Sequence, residues 1–283
     1  MRSLEGTVVL VTGGSAGIGR VTARRLVRGG ARVAICGRDQ ERLDAALAEM
    51  PEAWGMRCDV TDPADRALLV RAVVEHFGRI DALVNNAGQG RVAKLADLDG
   101  DQVTSLVDVN FTAVAELTRL VLPLFGARGG HVVMMSSIGA WAPVPPLSLY
   151  SATKAGVLGL ALGLRREVPR GVKVHAVCPG PIRTEWLTRD LDGRPTERSA
   201  RRRLSAGSDP EHVARAVEKC LISRRSRTVA VPRWWEIARL GSFAPVSRLL
   251  DVAVAPVSTA VVRLTRRYGK RLGSPSRDGR TAQ

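Results

Sequence analysis

TVVLVTGGSAGIG, residues 7–19, is a short β-branched run that ends in a glycine-rich turn, and a helical run follows it to Arg28. Glycines let a backbone approach an anion closely, and a helix N-terminus offers free N–H groups and the positive end of its dipole. The order of strand, glycine turn and helix therefore predicts a phosphate-binding turn, for which a plain glycine-rich connection is the alternative.

The same alternation of strand-like and helical segments continues for the length of a domain. Further strands are predicted at 32–35, 54–58, 82–85, 131–135, 172–177 and 228–231, and the segments between them include helical runs at 39–50, 63–77 and 101–124. Strands that alternate with helices form right-handed crossovers and a parallel sheet that is covered on both faces. The sequence therefore predicts an α/β fold with a doubly wound parallel sheet, in which ligands bind at the carboxyl edge of the strands.

The composition fits one large domain with an appendage. The 283 residues are 45% hydrophobic, which is enough for one sizeable core, and no long linker interrupts the first 230 residues. The 4 cysteines form no CxxC pair and no Cys/His cluster, which favours buried free thiols in a reducing compartment over disulfides or a metal site. The lack of such a cluster also means that we expect no bound metal. The N-terminus runs directly into a strand without room for a signal peptide, so we expect a cytoplasmic protein.

The positive charge is concentrated in the last third of the chain. Residues 189–283 contain 21 Lys and Arg against 9 Asp and Glu, which is +12 of the net charge of +16. This excess predicts an acidic partner or an anionic surface. No nucleic-acid-binding motif accompanies it, so nucleic acid is not the expected partner.

Tyr150 and Lys154 lie four residues apart at the start of an apolar helical run, so both side chains can point into one pocket. A tyrosine with its usual pKa near 10 exchanges protons at neutral pH only if its anion is favoured. A cation about 4 Å away contributes roughly 4 kcal/mol at an effective dielectric of about 20, before burial opposes it. The pair predicts a proton-transfer site in which Lys154 lowers the pKa of Tyr150; a chance spacing is the alternative.

The end of the second predicted strand indicates which dinucleotide binds. An acidic residue there would hold the ribose hydroxyls of NAD(H), whereas the guanidinium of Arg38 suits the 2′-phosphate of NADP(H). Asp39 can itself reach a ribose, so NAD(H) stays as the alternative. Asp59 and Val60 follow the third strand, where they can bracket an adenine ring, and the small residues of 85–88 would let the cofactor lie against the backbone.

Six motifs, taken together and in this order, resemble those of the short-chain dehydrogenase/reductase family. They are Thr12-Gly13-x-x-x-Gly17-Ile18-Gly19, Asn85-Asn86-Ala87-Gly88, Asn110, Ser136-Ser137, Tyr150-x-x-x-Lys154 and Pro179-Gly180-x-Ile182-x-Thr184. The resemblance covers roughly residues 5–232. It implies a Rossmann-like fold in a single catalytic, dinucleotide-binding domain.

The resemblance also implies a catalytic tetrad of Asn110, Ser137, Tyr150 and Lys154. Tyr150 would be the general acid or base at a carbonyl oxygen, and Ser137, 13 residues before it and preferred to Ser136 on that spacing, would donate to the same oxygen. Lys154 would also hold the nicotinamide ribose, and Asn110 would relay protons through water at a local distortion of its helix.

The cofactor-binding residues that the motifs predict extend from the glycine turn to the tetrad and beyond it. Thr184 would bond to the nicotinamide carboxamide. The full set is Gly13, Ser15, Gly17, Ile18, Gly19, Arg38, Asp59, Val60, Asn86, Ala87, Gly88, Tyr150, Lys154, Pro179, Gly180, Ile182 and Thr184.

Two departures from the common family pattern bear on cofactor and substrate. Position 16 is Ala where many NADPH-using relatives have a basic residue, so Arg38 must contact the 2′-phosphate alone unless Arg20 helps. The loop 142–147 is rich in proline and apolar residues and would form a stiff, apolar wall beside the tetrad. This wall favours a lipophilic substrate.

The lid and the C-terminal extension are the least familiar parts of the chain. Residues 185–208 are predicted to form a substrate lid whose arginines suit either a solvated loop or a landing site for an acidic carrier. Residues 233–272 are predicted to be an amphipathic helical, basic extension. It would lie on an anionic membrane surface or, alternatively, pack on the catalytic domain or a partner subunit. Residues 273–283 are predicted to be disordered.

The sequence therefore predicts an NADP(H)-dependent oxidoreductase that interconverts a carbonyl and a secondary alcohol on a lipophilic substrate. A β-ketoacyl thioester reductase, acting on acyl carrier protein or coenzyme A substrates, is the alternative. A dinucleotide sensor or scaffold that has lost the chemistry is an alternative of another class, against which the intact tetrad argues. A homodimer or homotetramer is expected by analogy with the family.

Overall fold

The computed structural model describes residues 3–184 and 207–242, and in them a single parallel sheet is flanked by helices on both faces. The sheet has 7 strands in the order β3-β2-β1-β4-β5-β6-β7. The strands are β1 Val8–Thr12, β2 Arg32–Gly37, β3 Trp54–Arg57, β4 Ala82–Asn85, β5 Gly130–Met135, β6 Val172–Pro179 and β7 Thr228–Val231. The helices are α1 Gly17–Arg28, α2 Gln40–Ala48, α3 Pro63–Phe77, α4 Gly100–Val107, α5 Ala113–Val121, α6 Ser148–Glu167 and α7 Pro210–Leu221. The predicted doubly wound α/β fold is confirmed.

The central strands are buried on both faces, which explains their continuous apolar sequences. Every residue of β1, β4 and β5 is buried. Leu10 belongs to the core on one face, together with Leu117 of α5, whereas Val9 belongs to the core on the other face, together with Leu26 of α1. Successive side chains point to opposite faces of a strand, so one short apolar run supports both helical layers.

Aspartates begin several of the helices that follow the strands. The side chain of Asp39 accepts the Arg42 N–H before α2, and that of Asp62 accepts two N–H groups before α3. Asp99 forms a capping box with Gln102 at α4. These side chains satisfy N–H groups that have no partner inside the helix, so each connection ends at a defined residue.

The long helix predicted at 101–124 is interrupted in the structure. A π-helical turn, Asp108–Thr112, lies between α4 and α5, and 3₁₀ turns follow from Leu122 to Arg128. The combined stretch Gly100–Arg128 has the length and apolar character of a membrane span. It packs on the sheet instead, with Leu106 and Val121 among the buried core residues, so we assign it as a core helix.

Residues just beyond the predicted domain boundary at 232 pack on the edge of the sheet. A 3₁₀-helical segment, Arg233–Ser242, follows β7. The Glu236 carboxylate accepts the Ala230 N–H at 2.9 Å, and Arg239 donates to the Thr228 carbonyl oxygen at 2.9 Å. Most of the predicted lid, the remainder of the helical extension and the predicted disordered tail lie outside the described residues.

Candidate active site

The glycine-rich turn after β1 forms a groove of bare backbone at the carboxyl edge of the sheet. Gly13 and Gly17 have φ angles of 64° and 52°, in the left-handed region that favours glycine. A Cβ at Gly19 would lie 2.1 Å from the Gly13 carbonyl oxygen, so a larger residue does not fit there. Ala16, the N-cap of α1, makes no side-chain hydrogen bond to the helix, which leaves the first N–H groups for an anion.

Two side chains tie this turn to the end of β4. Thr12 Oγ1 accepts the N–H groups of Asn86 and Ala87, each at 3.0 Å. In return, Asn86 Nδ2 donates to the carbonyl oxygens of Thr12 and Gly13, at 2.8 and 3.3 Å. Asn86 therefore ties the end of β4 to the neighbouring β1. These hydrogen bonds hold the glycine turn and the end of β4, which form two walls of the predicted cofactor groove, in fixed positions relative to each other.

The adenosine end of the groove lies between the glycine turn and the ends of β2 and β3. A Cβ at Gly37 would be 2.4 Å from Ser15 Oγ, so the turn presses directly on β2 here. The Arg38 side chain is exposed at this point. The Asp39 carboxylate caps α2 and pairs with Arg42 at 3.4 Å, so it is already committed to its own helix.

Asp59 and Val60 are both anchored by neighbouring residues. Asp59 accepts the N–H and the hydroxyl of Thr61 at 2.9 and 2.7 Å. Burial opposes ionisation, but these hydrogen bonds and the charges of nearby arginines hold the pKa of Asp59 below its usual value. The carbonyl oxygen of Val60 accepts a hydrogen bond from the buried Arg66 at 2.7 Å.

Asn110 is completely buried in the π-helical turn, which is the distortion expected at this position. Its amide holds both backbone groups of Gln89: the oxygen accepts the N–H at 2.9 Å and the nitrogen donates to the carbonyl oxygen at 2.8 Å. A Cβ at Gly88 would lie 3.0 Å from Asn110 Oδ1 and 3.3 Å from Lys154 Nζ. The end of β4 therefore runs directly against two members of the predicted tetrad.

Tyr150 and Lys154 lie on the first turns of α6 and face the same pocket. Lys154 is 5% exposed, and its ammonium donates to the Met135 carbonyl oxygen at 3.0 Å. The same Nζ lies 5.8 Å from the centre of the Tyr150 ring. The i, i+4 spacing thus brings the phenol and the ammonium together, as the sequence predicts.

The pKa values of this pair differ in one respect from the sequence-based expectation. Burial raises the pKa of Tyr150, and a hydrogen bond with Ser137 opposes that rise only in part. Burial also lowers the pKa of Lys154 to about 8. Lys154 therefore does not lower the pKa of Tyr150 below its usual value in the chain alone, because the lysine is itself desolvated and its ammonium is bonded to the Met135 carbonyl oxygen.

The two serines after β5 have different partners. Ser137 is hydrogen-bonded to Tyr150 and also donates to the Pro179 carbonyl oxygen at 3.4 Å. Ser136 instead donates to the Lys154 carbonyl oxygen at 2.8 Å. The structure thus brings the hydroxyl of Ser137, and not that of Ser136, to the tyrosine.

The turn after β6 lies across the opening of this pocket. Gly180 donates its N–H to the Val231 carbonyl oxygen at 2.8 Å, and Ile182 forms a parallel bridge with Ser208. A Cβ at Gly17 would be 3.7 Å from the Thr184 side chain. Thr184 therefore lies against the glycine turn.

Sequence reasoning did not identify an aromatic wall beside this turn. A Cβ at Gly180 would be 2.6 Å from the indole nitrogen of Trp235. Trp141, four residues after Ser137, is 8% exposed and has the Arg239 guanidinium 5.0 Å from its ring centre. The pair Trp234-Trp235 signals an aromatic cluster, but only its long-range contact with Gly180 places it at the site.

The described residues fit an extended dinucleotide. Close backbone packing joins the glycine turn to the tetrad, because a Cβ at Gly13 would be 3.0 Å from Ala87 Cα and one at Gly88 would be 3.0 Å from Asn110 Oδ1. The N–H groups that could bind phosphate lie at one end, in the turn before α1, and the buried phenol of Tyr150 lies at the other. Within residues 3–184 and 207–242, no group of three or more His, Cys, Asp or Glu residues is placed to hold a metal ion.

Comparisons with known proteins agree with this arrangement. A model described as short chain dehydrogenase matches residues 7–194. The 11-beta-hydroxysteroid dehydrogenase 1A of Arabidopsis thaliana is 32% identical over 252 residues, which cover 84% of this chain and 72% of that protein. A 3-ketoacyl-(acyl-carrier-protein) reductase from Brucella melitensis, complexed with NADH, superposes with a TM-score of 0.73, 29% identity and coverage of 81% of this chain and 98% of its own. Actinorhodin polyketide ketoreductase with NADPH gives a TM-score of 0.73, 34% identity and coverage of 82% and 97%.

Proposed function

Because the chain belongs to the short-chain dehydrogenase family, we propose that it is an NADP(H)-dependent oxidoreductase that interconverts a carbonyl and a secondary alcohol on a lipophilic substrate. The observation that carries the proposal is the convergence of Tyr150, Ser137 and Lys154 at the carboxyl edge of the sheet. The glycine groove leads to this point. A bound nicotinamide supplies or accepts the hydride there.

In the proposed mechanism, Tyr150 moves the proton. In reduction its hydroxyl protonates the carbonyl oxygen as negative charge develops on it, and in oxidation the phenolate takes the proton back. The high pKa of Tyr150 keeps the phenol protonated at neutral pH, as a general acid requires. Ser137, already hydrogen-bonded to Tyr150, donates to the same oxygen and fixes its position. Asn110 and Gln89 hold the wall behind Lys154.

Replacement of Tyr150 by Phe tests this mechanism directly. Removal of a general acid costs on the order of 10²–10⁴-fold in rate, so we expect turnover of a carbonyl substrate with NADPH to fall by that factor. Fluorescence titration of NADPH should give a nearly unchanged affinity, because the phenol ring stays in place. Ser137→Ala should lose less of its turnover than Tyr150→Phe. Full turnover in the Tyr150→Phe variant would refute the proposed role of Tyr150.

The preference for NADP(H) over NAD(H) is supported by the groups at the adenosine end. Asp39, the residue that would otherwise hold ribose hydroxyls, is engaged as the cap of α2. Arg38 is exposed beside it, whereas Arg20 pairs with Glu49 at 3.5 Å. We expect Arg38→Ala to raise the KM for NADPH tenfold or more and to leave that for NADH nearly unchanged. An unchanged ratio of the two KM values would remove Arg38 from the cofactor site.

A lipophilic substrate is supported by the side chains around the opening. Trp235 lies against Gly180, and Val144 of the apolar loop before α6 is 41% exposed. Turnover should be measured with NADPH on small polar ketones, steroid carbonyls and a β-ketoacyl thioester. We expect kcat/KM to be highest for apolar ketones, because the aromatic wall removes their surface from water. Preference for small polar ketones would contradict the proposal.

Reduction of β-ketoacyl thioesters is the second candidate function. It is favoured by the two structural relatives described above as a 3-ketoacyl-(acyl-carrier-protein) reductase and a polyketide ketoreductase. In the same assay, a kcat/KM for the thioester above that for every free ketone would select this function. A chain that binds NADPH but turns over no carbonyl would instead be a dinucleotide sensor or scaffold.

We also propose that the C-terminal extension contacts anionic membranes and that the enzyme is a homodimer or homotetramer. Trp234 and Ile237, at the start of the extension, are 64% and 66% exposed, and residues 243–283 contain 8 Lys and Arg against 2 Asp. Co-sedimentation with anionic but not neutral liposomes, lost on deletion of residues 243–283, is the expected result. Light scattering measures the oligomeric state, and a monomer would contradict the proposal.

A further inference from the structure

Arg57 lies beside the adenosine end of the groove, at the end of β3. It pairs in parallel register with Gly37 of β2, so the two residues present their side-chain directions on the same face of the sheet. On that face the glycine turn presses on β2, because a Cβ at Gly37 would be 2.4 Å from Ser15 Oγ. Arg57 therefore lies on the same face of the sheet as the contact between the turn and β2, and Arg38 follows Gly37 in the chain.

The charges at this end of the groove are positive and unneutralised by close contacts. Arg38 and Arg57 are both exposed, and in the part of the chain that the structure describes neither side chain makes a hydrogen bond or an ion pair within 4.0 Å. The nearest acids are committed elsewhere: Asp39 to α2 and Arg42, and Asp59 to Thr61.

The pKa of the Asp59 carboxyl responds to the charges of both guanidinium groups. Burial would raise the pKa of this carboxyl, but the hydrogen bonds from Thr61 and then the charges of Arg38 and Arg57 lower it overall. The two arginines lie at the adjacent ends of β2 and β3, close to the predicted adenine-binding residue Asp59. A phosphate dianion is the group that two guanidinium forks recognise best.

We propose that Arg57 is a second specificity-determining residue that, together with Arg38, binds the 2′-phosphate of NADP(H). This inference rests on the proposed function, since it assumes an adenine dinucleotide in the glycine groove. It assigns to Arg57 the cationic contact that Ala16 does not provide. Arg57 discriminates between the two dinucleotides through its charge and its fork of donors, without touching the reacting atoms.

Binding of two adenosine probes to the full chain tests the proposal without turnover. Adenosine 2′,5′-bisphosphate has the 2′-phosphate and adenosine 5′-monophosphate lacks it, and calorimetry measures both dissociation constants at one fixed low ionic strength. For Arg57→Gln we expect the dissociation constant of the bisphosphate to rise about tenfold and that of the monophosphate to change less than twofold. Arg57→Lys, which keeps the charge but not the fork, should lie between Gln and wild type.

Arg71→Gln is the matched control. Arg71 is an exposed arginine on α3, and its substitution by Gln changes the net charge by the same amount as Arg57→Gln. Its dissociation constants should equal those of the wild-type protein, and equal melting temperatures should establish that the variants fold. An unchanged bisphosphate affinity in Arg57→Gln, with wild type still preferring the bisphosphate, would refute the role of Arg57 and leave the NADP(H) preference standing. No preference for the bisphosphate in wild type would refute that preference itself. An equal loss of affinity for both probes, or the same loss of affinity in Arg71→Gln, would mean that Arg57 acts only through the net charge of the protein. Either result would overturn the proposal.

Discussion

Lys154 illustrates how much of the chemistry depends on the surroundings of single residues. Its ammonium is buried, donates to Met135 and lies close to Gly88 and the Tyr150 ring. An ammonium removed from water loses part of the stabilisation of its charged form, so its pKa falls to about 8. A lysine with this pKa changes charge within the pH range in which the enzyme can be assayed.

We therefore predict that carbonyl reduction weakens as pH rises through about 8. In the proposed mechanism, the positive charge that Lys154 carries below this pH would hold the ribose and favour proton transfer from Tyr150, and above it that charge is lost. A pH profile of kcat/KM with NADPH measures the effect, and Lys154→Met should lower the plateau and remove this inflection. An inflection that persists in Lys154→Met would assign it to another group.

The strands β5 and β6 contain a buried polar pair far from the chemistry. His131 Nδ1 lies 3.2 Å from His175 Nε2, and the rings are stacked with 5.4 Å between their centres. His175 Nδ1 also accepts the Arg227 N–H at 3.2 Å, so both rings are held by neighbours at the amino-terminal half of their strands. Burial, and for His175 also the charge of its neighbour, lowers the pKa to about 4 for His131 and to about 3 for His175.

This pair predicts a loss of stability in weak acid. The pKa of each histidine is lower in the folded chain than the unfolded value of about 6.5, so the unfolded chain binds more protons between these values. The contribution of the neutral histidines to the free energy of unfolding is fully present above about pH 6.5. It falls by about 1.4 kcal/mol per pH unit for each histidine as the pH falls towards 4. Urea unfolding at pH 6.5 and 5 measures the slope. His131→Phe should reduce it, whereas a change at the exposed His76 should not; identical slopes in all three would contradict this account.

At the scale of the whole molecule, the segment Arg233–Ser242 joins the C-terminal end of the described chain to the active site. Trp235 packs against Gly180 and stacks on Trp234, with 4.1 Å between the ring centres. Trp141, which follows β5 and Ser137 in the chain, belongs to the same core cluster as Trp235. The start of the predicted extension is thereby part of the wall around the site.

We predict that Trp235→Ala lowers the free energy of unfolding by roughly 2–4 kcal/mol and reduces turnover, because it removes a large apolar contact under the turn at Gly180. Trp234 is 64% exposed, so Trp234→Ala should cost about 1 kcal/mol or less. Chemical denaturation and kcat/KM for both variants provide the comparison. Equal effects of the two changes would mean that the contact with Gly180 does not support the site.

The family, the fold class and the order of the secondary-structure elements are predictable from the sequence. Alternating apolar and helical runs, the glycines of 13–19 and the spacing of Tyr150 and Lys154 are local patterns, and strand, turn and helix depend mainly on such patterns. Segments 63–77, 82–85 and 228–231 have the bounds found in the structure.

Several contacts between these residues, and the charges that the buried groups carry, follow from the folded arrangement and not from local sequence patterns. Asn110 binds both backbone groups of Gln89, Arg57 lies beside Gly37, and Trp235 packs against Gly180. Each of these depends on contacts between distant parts of the chain. The pKa values of Tyr150 and Lys154 follow from burial, which spacing along a helix does not specify.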